Sequence, residues 1–528
     1  MPEYDPQEKE LVRVLDIKLV PFLSAMMLAL LLDRSSALHA RITNYTTRAG
    51  LETDIGLDDY GFMWSIAAFA IATFAAVLPS TLLSRKIGPS TWFGACAIAW
   101  GVIAAATAAT SNTAGYTASR FFLGAAQAGF LPCIVIYIVS FYTKEESATR
   151  FTYVIGLALV MQAFCGLFSH YVSRAEGYIG LAGWQLVYLL DGLFGISIGT
   201  LTLLYLPNYP ETCHFLSPAD RVLATSRGKD GLDDSGLVAG LRKVTKVPSY
   251  KFDYNQMLDA ILDTRIWLIA IAYFCANSIL DCLIILAPEV ATTSFDINVS
   301  HRSLSNSTQE QLYQIIGDYQ DSTLPIAILA TLPYIFAFGF SLLLSQNFQE
   351  RDKRTWPIMI CMSVSSFGFL MLSIISPEID GAGPARYFIG LLPAVIGVIA
   401  SVPLIISLGM DLALDDTYRA SVASIIIGPG QAFGLLIAGS PSLFSATNAP
   451  TFPLANGICT GLGLTASACI FAVGLLNQRE SDGSGWGRAP GLRRLMNDQD
   501  EAKAWDLELK DVAFLKHNGM QKDDEEWN

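Results

Sequence analysis

The chain is poor in charge. Of its 528 residues only 15% are Asp, Glu, Lys or Arg, against about 25% in an ordinary soluble protein. That shortfall excludes a large soluble globule. Basic residues are the scarcer sign: 34 Lys and Arg against 47 Asp and Glu leave a formal net charge of −13. Phosphate backbones are held by clustered cations, so nucleic acid is excluded as a partner. No Gly-rich phosphate loop runs into a Lys, no H-E-x-x-H or other metal cluster occurs, and there is no nucleophile elbow. ATP-driven pumping, zinc chemistry and acyl-enzyme chemistry therefore lack their residues, and the expectation is a protein that is not an enzyme, with no cofactor and no metal. The nine cysteines form no C-x-x-C, and all but Cys213 lie in apolar runs, as small packing residues do. Residues 1–18 are rich in charge and unlike a cleavable signal.

What the chain has in excess is apolar surface. Hydrophobic residues make up 52% of it and the mean hydropathy is +0.42. A bilayer core takes about 20 residues of helix. Candidate spans fall at 19–41, 62–84, 91–110, 116–142, 151–173, 184–206, 265–287, 323–346, 356–376, 385–408, 420–440 and 454–477, which makes twelve. The first is the least regular: "LVPFLSAMMLALLL" (19–32) runs into Asp33 and Arg34. Charges inside a span are costly and face a bundle interior or a wet cavity. Most Lys and Arg fall in alternate loops, 1–18, 85–86, 144–150, 207–264, 351–354 and the tail, which places both termini in the cytoplasm. The three N-x-[S/T] sequons, at Asn44, Asn298 and Asn306, then all lie outside as candidate glycosylation sites.

The expected fold class is an all-α membrane protein with twelve transmembrane helices in two six-helix bundles. The divisions are a cytoplasmic N-terminus (1–18), an N-terminal bundle (19–206), a central cytoplasmic loop (207–264), a C-terminal bundle (265–477) and a cytoplasmic tail (478–528). Six spans, a long polar segment and six more spans are the layout of transporters whose halves are parallel repeats about an axis along the membrane normal.

Several stretches carry a more specific resemblance. They are "LDIKLVPFL" leading to "DRSSALHARI", then "LPSTLLSRKIGPSTW", "RFFLGAAQAGFLP", "SFYTKEESATR", "GWQLVYLLDG" and "LPNYPETCHFLSP"; weaker markers in the second half are "ARYFIG", "YRASVASIIIGPGQAFG" and "NAPTFPLANG". Together they resemble a fungal major facilitator of the allantoate permease type, the anion:cation symporter group. The resemblance implies alternating-access transport of a small organic anion or related polar metabolite. It implies a multi-pass plasma-membrane protein, expected as a monomer, with the lipid bilayer and a small anionic substrate as partners, and protons as a possible second cargo. Export of a fungal secondary metabolite is the alternative within transport. A nutrient sensor on a transporter scaffold is the alternative outside it.

Site candidates follow. Arg120 opens "RFFLGAAQAGFLP" and matches the Arg that the family places in its anion path. Arg stays charged and offers five donors, which suits a carboxylate; the competing reading is a snorkelling anchor. Gln127 stands two helical turns further on, roughly 10 Å along the axis, where relatives usually carry Glu. Gln keeps the shape but cannot release a proton, so the carboxylate most readily linked to proton coupling is missing. Gly124 and Ala128 on the neighbouring stripe suit close helix contact. Arg34 resembles the Arg of the family's "DR", with Asp33 beside it; Leu38 and Arg41 share the Arg34 face, and His39 stands where the family often has Asn. Arg34, Arg120 and Gln127 are thus the expected substrate contacts. Asp281, in "SILDCLIILAP", takes the place of a family Tyr and is the candidate for a relocated proton carrier, set against a structural ion pair with an Arg. Asp33, Arg85, Gly88, Asp191 and Arg386 are expected in gating or structural roles. The loop "LLLSQNFQERDKR" has Gln346–Asn347 in place of the usual Asp–Arg pair, so the inward gate is expected to be held less by charge.

Overall fold

Within lipid a chain must satisfy its own backbone polar groups, and a single chain of apolar segments does so as helices. The computed structural model describes residues 6–42, 51–165, 168, 171–172, 180–227, 252–294, 309–348, 351–375, 382–413, 416–440, 443 and 451–481. The long helices are α1 (Pro6–Ile42), α2 (Asp59–Ile87), α3 (Pro89–Thr107) and α4 (Thr113–Phe141). Next come α5 (Lys144–Phe151, a π-helical turn Thr152–Gly156, and Leu157–Gln162) and α6 (Gly183–Tyr205). The second half holds α7 (Thr264–Ser294), α8 (Gln309–Asn347), α9 (Arg351–Ile374), α10 (Ala382–Asp411), α11 (Asp416–Ala438) and α12 (Pro453–Ser481).

Eleven helices among the described residues are long and apolar enough to cross a membrane. The expected span at 151–173 is α5, and much of its second half lies outside the described residues. Two helices overrun their expected bounds. α1 is a single 37-residue helix that passes through Pro21 and carries Asp33 and Arg34 well inside it. α8 begins at Gln309, far ahead of its apolar stretch. Hydropathy locates only the lipid-length part of a helix, and polar turns at either end prolong it.

Local chemistry sets the ends. Asp58 caps α2 by accepting from the Gly61 amide at 2.8 Å, and Asn112 caps α4 by accepting from Gly115 at 2.7 Å, the usual roles of these side chains. Between α2 and α3 the chain reverses at Gly88, whose φ is 107°, a conformation that glycine alone takes without strain. Asn208 sits against that turn and accepts from the Ser90 amide at 3.0 Å. α3 and α6 approach so closely that a Cβ at Gly101 would stand 2.7 Å from the Gly192 carbonyl. Such small-residue contacts replace the hydrophobic drive that lipid removes. α4 lies on α2 in the same manner, with Thr73 donating to the Gly124 carbonyl at 3.2 Å.

Helices up to α6 pack chiefly on one another, as do those from α7 onward. The halves also touch where α10 meets α5 and α11 meets α4, and they meet along two longer seams. On the first, α2 faces α11: Phe74 and Phe433 stack with centroids 5.3 Å apart, and Val77 lies beside Gly428. On the second, α5 faces α8: Tyr153 and Phe338 are 6.5 Å apart and Thr149 Oγ1 donates to the Ser345 carbonyl at 3.4 Å.

Candidate functional site

α1 brings four consecutive polar residues, Asp33, Arg34, Ser35 and Ser36, into the interior, all buried. Adjacent helical residues point about 100° apart, so Asp33 and Arg34 reach different neighbours.

Arg34 points across to the second half. Its Nε donates to Asp281 Oδ1 at 3.3 Å and its Nη2 to Asp281 Oδ2 at 2.7 Å. Its Nη1 donates to the Gln431 carbonyl at 2.8 Å and to Gln431 Oε1 at 2.7 Å. Asp281 accepts further from Asn277 Nδ2 at 3.1 Å, and the same amide donates to the Gly430 carbonyl at 2.9 Å. Gln431 Nε2 reaches the Tyr273 hydroxyl at 3.3 Å and Asn277 Oδ1 at 3.4 Å. Tyr273, Asn277 and Asp281 are spaced four apart on α7 and so share a face. Gln431 is presented where Pro429 removes a backbone donor from α11. This is a buried, bidentate ion pair joining α1 to α7, with α11 holding its third side.

Asp33 points the other way, within the first half. Its Oδ2 accepts from Gln127 Nε2 at 2.5 Å, while its Oδ1 is buried with no hydrogen-bond partner among the described residues. Asp191 of α6 lies beside the Ser36 hydroxyl at 2.9 Å. Arg120 sits among these groups, in electrostatic contact with both Asp33 and Asp191. Its guanidinium is stacked on two rings, 5.2 Å from the Tyr116 centroid and 4.8 Å from that of Tyr188. The two phenol oxygens are 2.9 Å apart and hold the rings together. Arg120 is only 3% exposed, yet its Nε and Nη2 have no hydrogen-bond partner among the described residues. Stacking on a ring face attracts the cation but leaves its in-plane N–H groups unused. Nε and Nη2 form one edge of the guanidinium fork, the edge through which Arg34 grips Asp281. Among the buried arginines of the described residues, Arg34 has this edge filled by an internal carboxylate, while Arg120 and Arg386 have it open; only that of Arg120 adjoins the cluster around Asp33.

The other expected residues are placed apart from this cluster. Arg386, at the start of the π-helical turn in α10, is fully buried; its Nη1 is 3.4 Å from Thr293 Oγ1 and Glu289 acts on it electrostatically. Arg85 lies over the Tyr209 ring at 5.9 Å, and the Tyr209 hydroxyl donates to the Arg85 carbonyl at 3.3 Å. Gly88 forms the α2–α3 turn. Asn44, Asn298 and Asn306 lie outside the described residues, as do the side chains of Leu38, His39 and Arg41. At the loop where the gate pair was expected, Asn347 Nδ2 donates among the described residues to the Leu343 carbonyl of its own helix, at 2.7 Å. Nearby, Arg354 is buried, pairs with Asp411, donates to Ser407 Oγ at 2.6 Å and reaches the Lys144 carbonyl of the first half at 3.3 Å.

Sequence reasoning missed Tyr116, Tyr188, Tyr273, Asn277 and Gln431. The four-residue spacing of Tyr116 to Arg120 and of Asn277 to Asp281 was the available signal. Aromatics and amides in apolar runs usually pack or self-satisfy, so the spacing alone did not single them out.

Comparison with known proteins follows from this geometry. The sequence model of the Major Facilitator Superfamily matches residues 25–439. An "MFS transporter prlL" from a Fungal sp. is 25% identical, over 71% of this chain and 69% of its own length. A "Putative tartrate transporter" of Agrobacterium vitis is 24% identical, over 68% of this chain and 72% of its own. The "MFS-type transporter cnsO" of Penicillium expansum is also 24% identical, over 86% of this chain and 80% of its own. Among solved structures, the proton:xylose symporter XylE bound to 6-bromo-6-deoxy-D-glucose superimposes with a TM-score of 0.57, covering 85% of this chain and 95% of that one, at 12% identity.

Proposed function

The chain belongs to the major facilitator superfamily of multi-pass membrane transporters, and from that premise we propose that it carries a small organic anion by alternating access, as a member of the allantoate permease type. The two bundles would be residues 19–206 and 265–477, with both termini in the cytoplasm, in the plasma membrane. The observation that carries the anion reading is Arg120: a buried guanidinium with an open donor edge between two tyrosine rings. A carboxylate would accept from Nε and Nη2 together, the charge-assisted bidentate contact that Arg makes best. The tartrate relative is named for an anion, which agrees with this chemistry.

Coupling belongs to the Arg34–Asp281 pair in the same proposal. This pair ties α1 of one half to α7 of the other. A proton delivered to Asp281 would neutralise the carboxylate, release that tie and let the halves rock. Arg34 would retain its two acceptors on Gln431. With Gln127 unable to carry a proton, Asp281 is the position at which a gradient would enter the cycle.

The experiment is transport by the purified protein in liposomes. Anion flux should be nearly abolished in Arg120→Ala and only partly restored in Arg120→Lys, since an ammonium cannot reproduce the bidentate edge. Normal flux in Arg120→Ala would make Arg120 a packing anchor.

A further inference from the structure

Asp281 occupies Arg34 as a substrate carboxylate would. Both of its oxygens are engaged, one by Nε and one by Nη2 of the same guanidinium. The remaining nitrogen, Nη1, is taken by Gln431. The donors that point to Asp281 and Gln431 are thus committed to acceptors built into the chain. Arg120 has the same Nε–Nη2 edge with no partner among the described residues. The two arginines belong to one connected cluster: Asp33 adjoins Arg34 on α1 and bonds Gln127, which lies on α4 two turns from Arg120.

We infer that Asp281 is a specificity residue, an internal stand-in for a second substrate carboxylate, and that it restricts this transporter to monocarboxylates by closing Arg34. This rests on the reading of Arg120 as the anion anchor. A monocarboxylate needs one open fork and finds it at Arg120, where Asp33 and Asp191 act on the cation but neither fills its Nε–Nη2 edge. A dicarboxylate anchored at Arg120 whose second carboxylate reached Arg34 would meet a filled fork and the like charge of Asp281. To bind there it must expel a buried carboxylate already held by two charge-assisted bonds and by Asn277. Among the described residues the other charged or titratable groups facing the cluster are Asp33, Asp191, Tyr116, Tyr188, Tyr273, Cys165 and Cys282, and none of these is a cation that could receive the second carboxylate. The relative named for tartrate, a dicarboxylate, supports the anion class alone; the restriction comes from Asp281 of this chain.

The test uses the full-length protein in liposomes, in exchange mode without an imposed gradient, with labelled matched pairs: butyrate and succinate, benzoate and phthalate, gluconate and glucarate. In the wild type, at least one monocarboxylate should exchange ten-fold or more faster than its dicarboxylate match, and the dicarboxylate should compete poorly. In Asp281→Asn and Asp281→Ser that preference should fall at least ten-fold through gained dicarboxylate exchange. Asp281→Glu, which can refill the fork, should keep it. The freed Arg34 also gives a readout separate from transport: dicarboxylates should raise the melting temperature of Asp281→Asn more than monocarboxylates do, and should not do so in the wild type. A wild type that exchanges dicarboxylates as readily as their matches overturns the inference, whether or not the variants fold. So does a folded Asp281→Asn whose selectivity is unchanged. A wild type that exchanges neither class removes the anion reading itself, which separates the two failures.

Discussion

At the scale of single residues, the account turns on which arginine is filled and which is open. Arg34 and Arg120 are both buried in apolar helices, and composition treats them alike. They differ in neighbours brought from elsewhere in the chain: Asp281 and Gln431 for Arg34, two tyrosine faces for Arg120. The coupling proposal predicts that Asp281→Asn loses concentrative uptake under an imposed proton gradient while substrate exchange persists. Undiminished accumulation in that variant would dismiss Asp281 as the proton carrier. Gln127 donates to Asp33, so Gln127→Glu would set two carboxylates against each other. The pH dependence of exchange should then steepen; an unchanged profile would count against the Asp33 contact. The sequence identified Arg34, Arg120, Gln127 and Asp281 as polar residues in unfavourable surroundings. It could not pair them, because the partners of Arg34 lie 247 and 397 positions away.

At the scale of elements, the helices were readable because a lipid-length apolar run has few other outcomes. What was not readable was length and interruption. α1 reaches back to Pro6 and α5 contains a π-helical turn, neither of which leaves a hydropathy signature. The seams between halves also escaped the sequence, since Phe74, Phe433 and Phe338 look like any lipid-facing aromatic until a partner is seen. These seams carry a prediction about motion. Alternating access needs α5 and α8 to separate at the end where Thr149 touches Ser345. A disulfide between cysteines placed at 149 and 345 should stop transport, and reductant should restore it; full flux in the cross-linked protein would refute movement at that seam. Packing within one half is tested at Gly192. Its missing Cβ would stand 2.5 Å from the Ala105 amide nitrogen, so Gly192→Val should force α3 and α6 apart. Overpacking of this kind costs about 1–3 kcal/mol, which should appear as a lowered melting temperature in detergent; an unchanged melting temperature would show that the contact is slack.

At the scale of the whole molecule, low charge, alternate basic loops and a polar stretch between two sets of spans were enough to anticipate a two-part membrane transporter. The family match over residues 25–439 agrees with that. Orientation is a separate proposal with its own check. A glycosidase-sensitive mass shift should shrink in Asn298→Gln or Asn306→Gln, and a C-terminal tag should resist external protease in intact cells. Digestion of that tag would reverse the topology. The substrate is the part least legible in the sequence. In the proposed site it depends on how side chains from α1, α4, α7 and α11 converge, and convergence is a property of the fold. If the open edge of Arg120 is the anion anchor, labelled monocarboxylates should exchange robustly in liposomes holding the wild type, partly with Arg120→Lys, and at least ten-fold less with Arg120→Ala, each protein first shown to be folded by size exclusion. Equal exchange by wild type and Arg120→Ala would mean that Arg120 does not hold the anion.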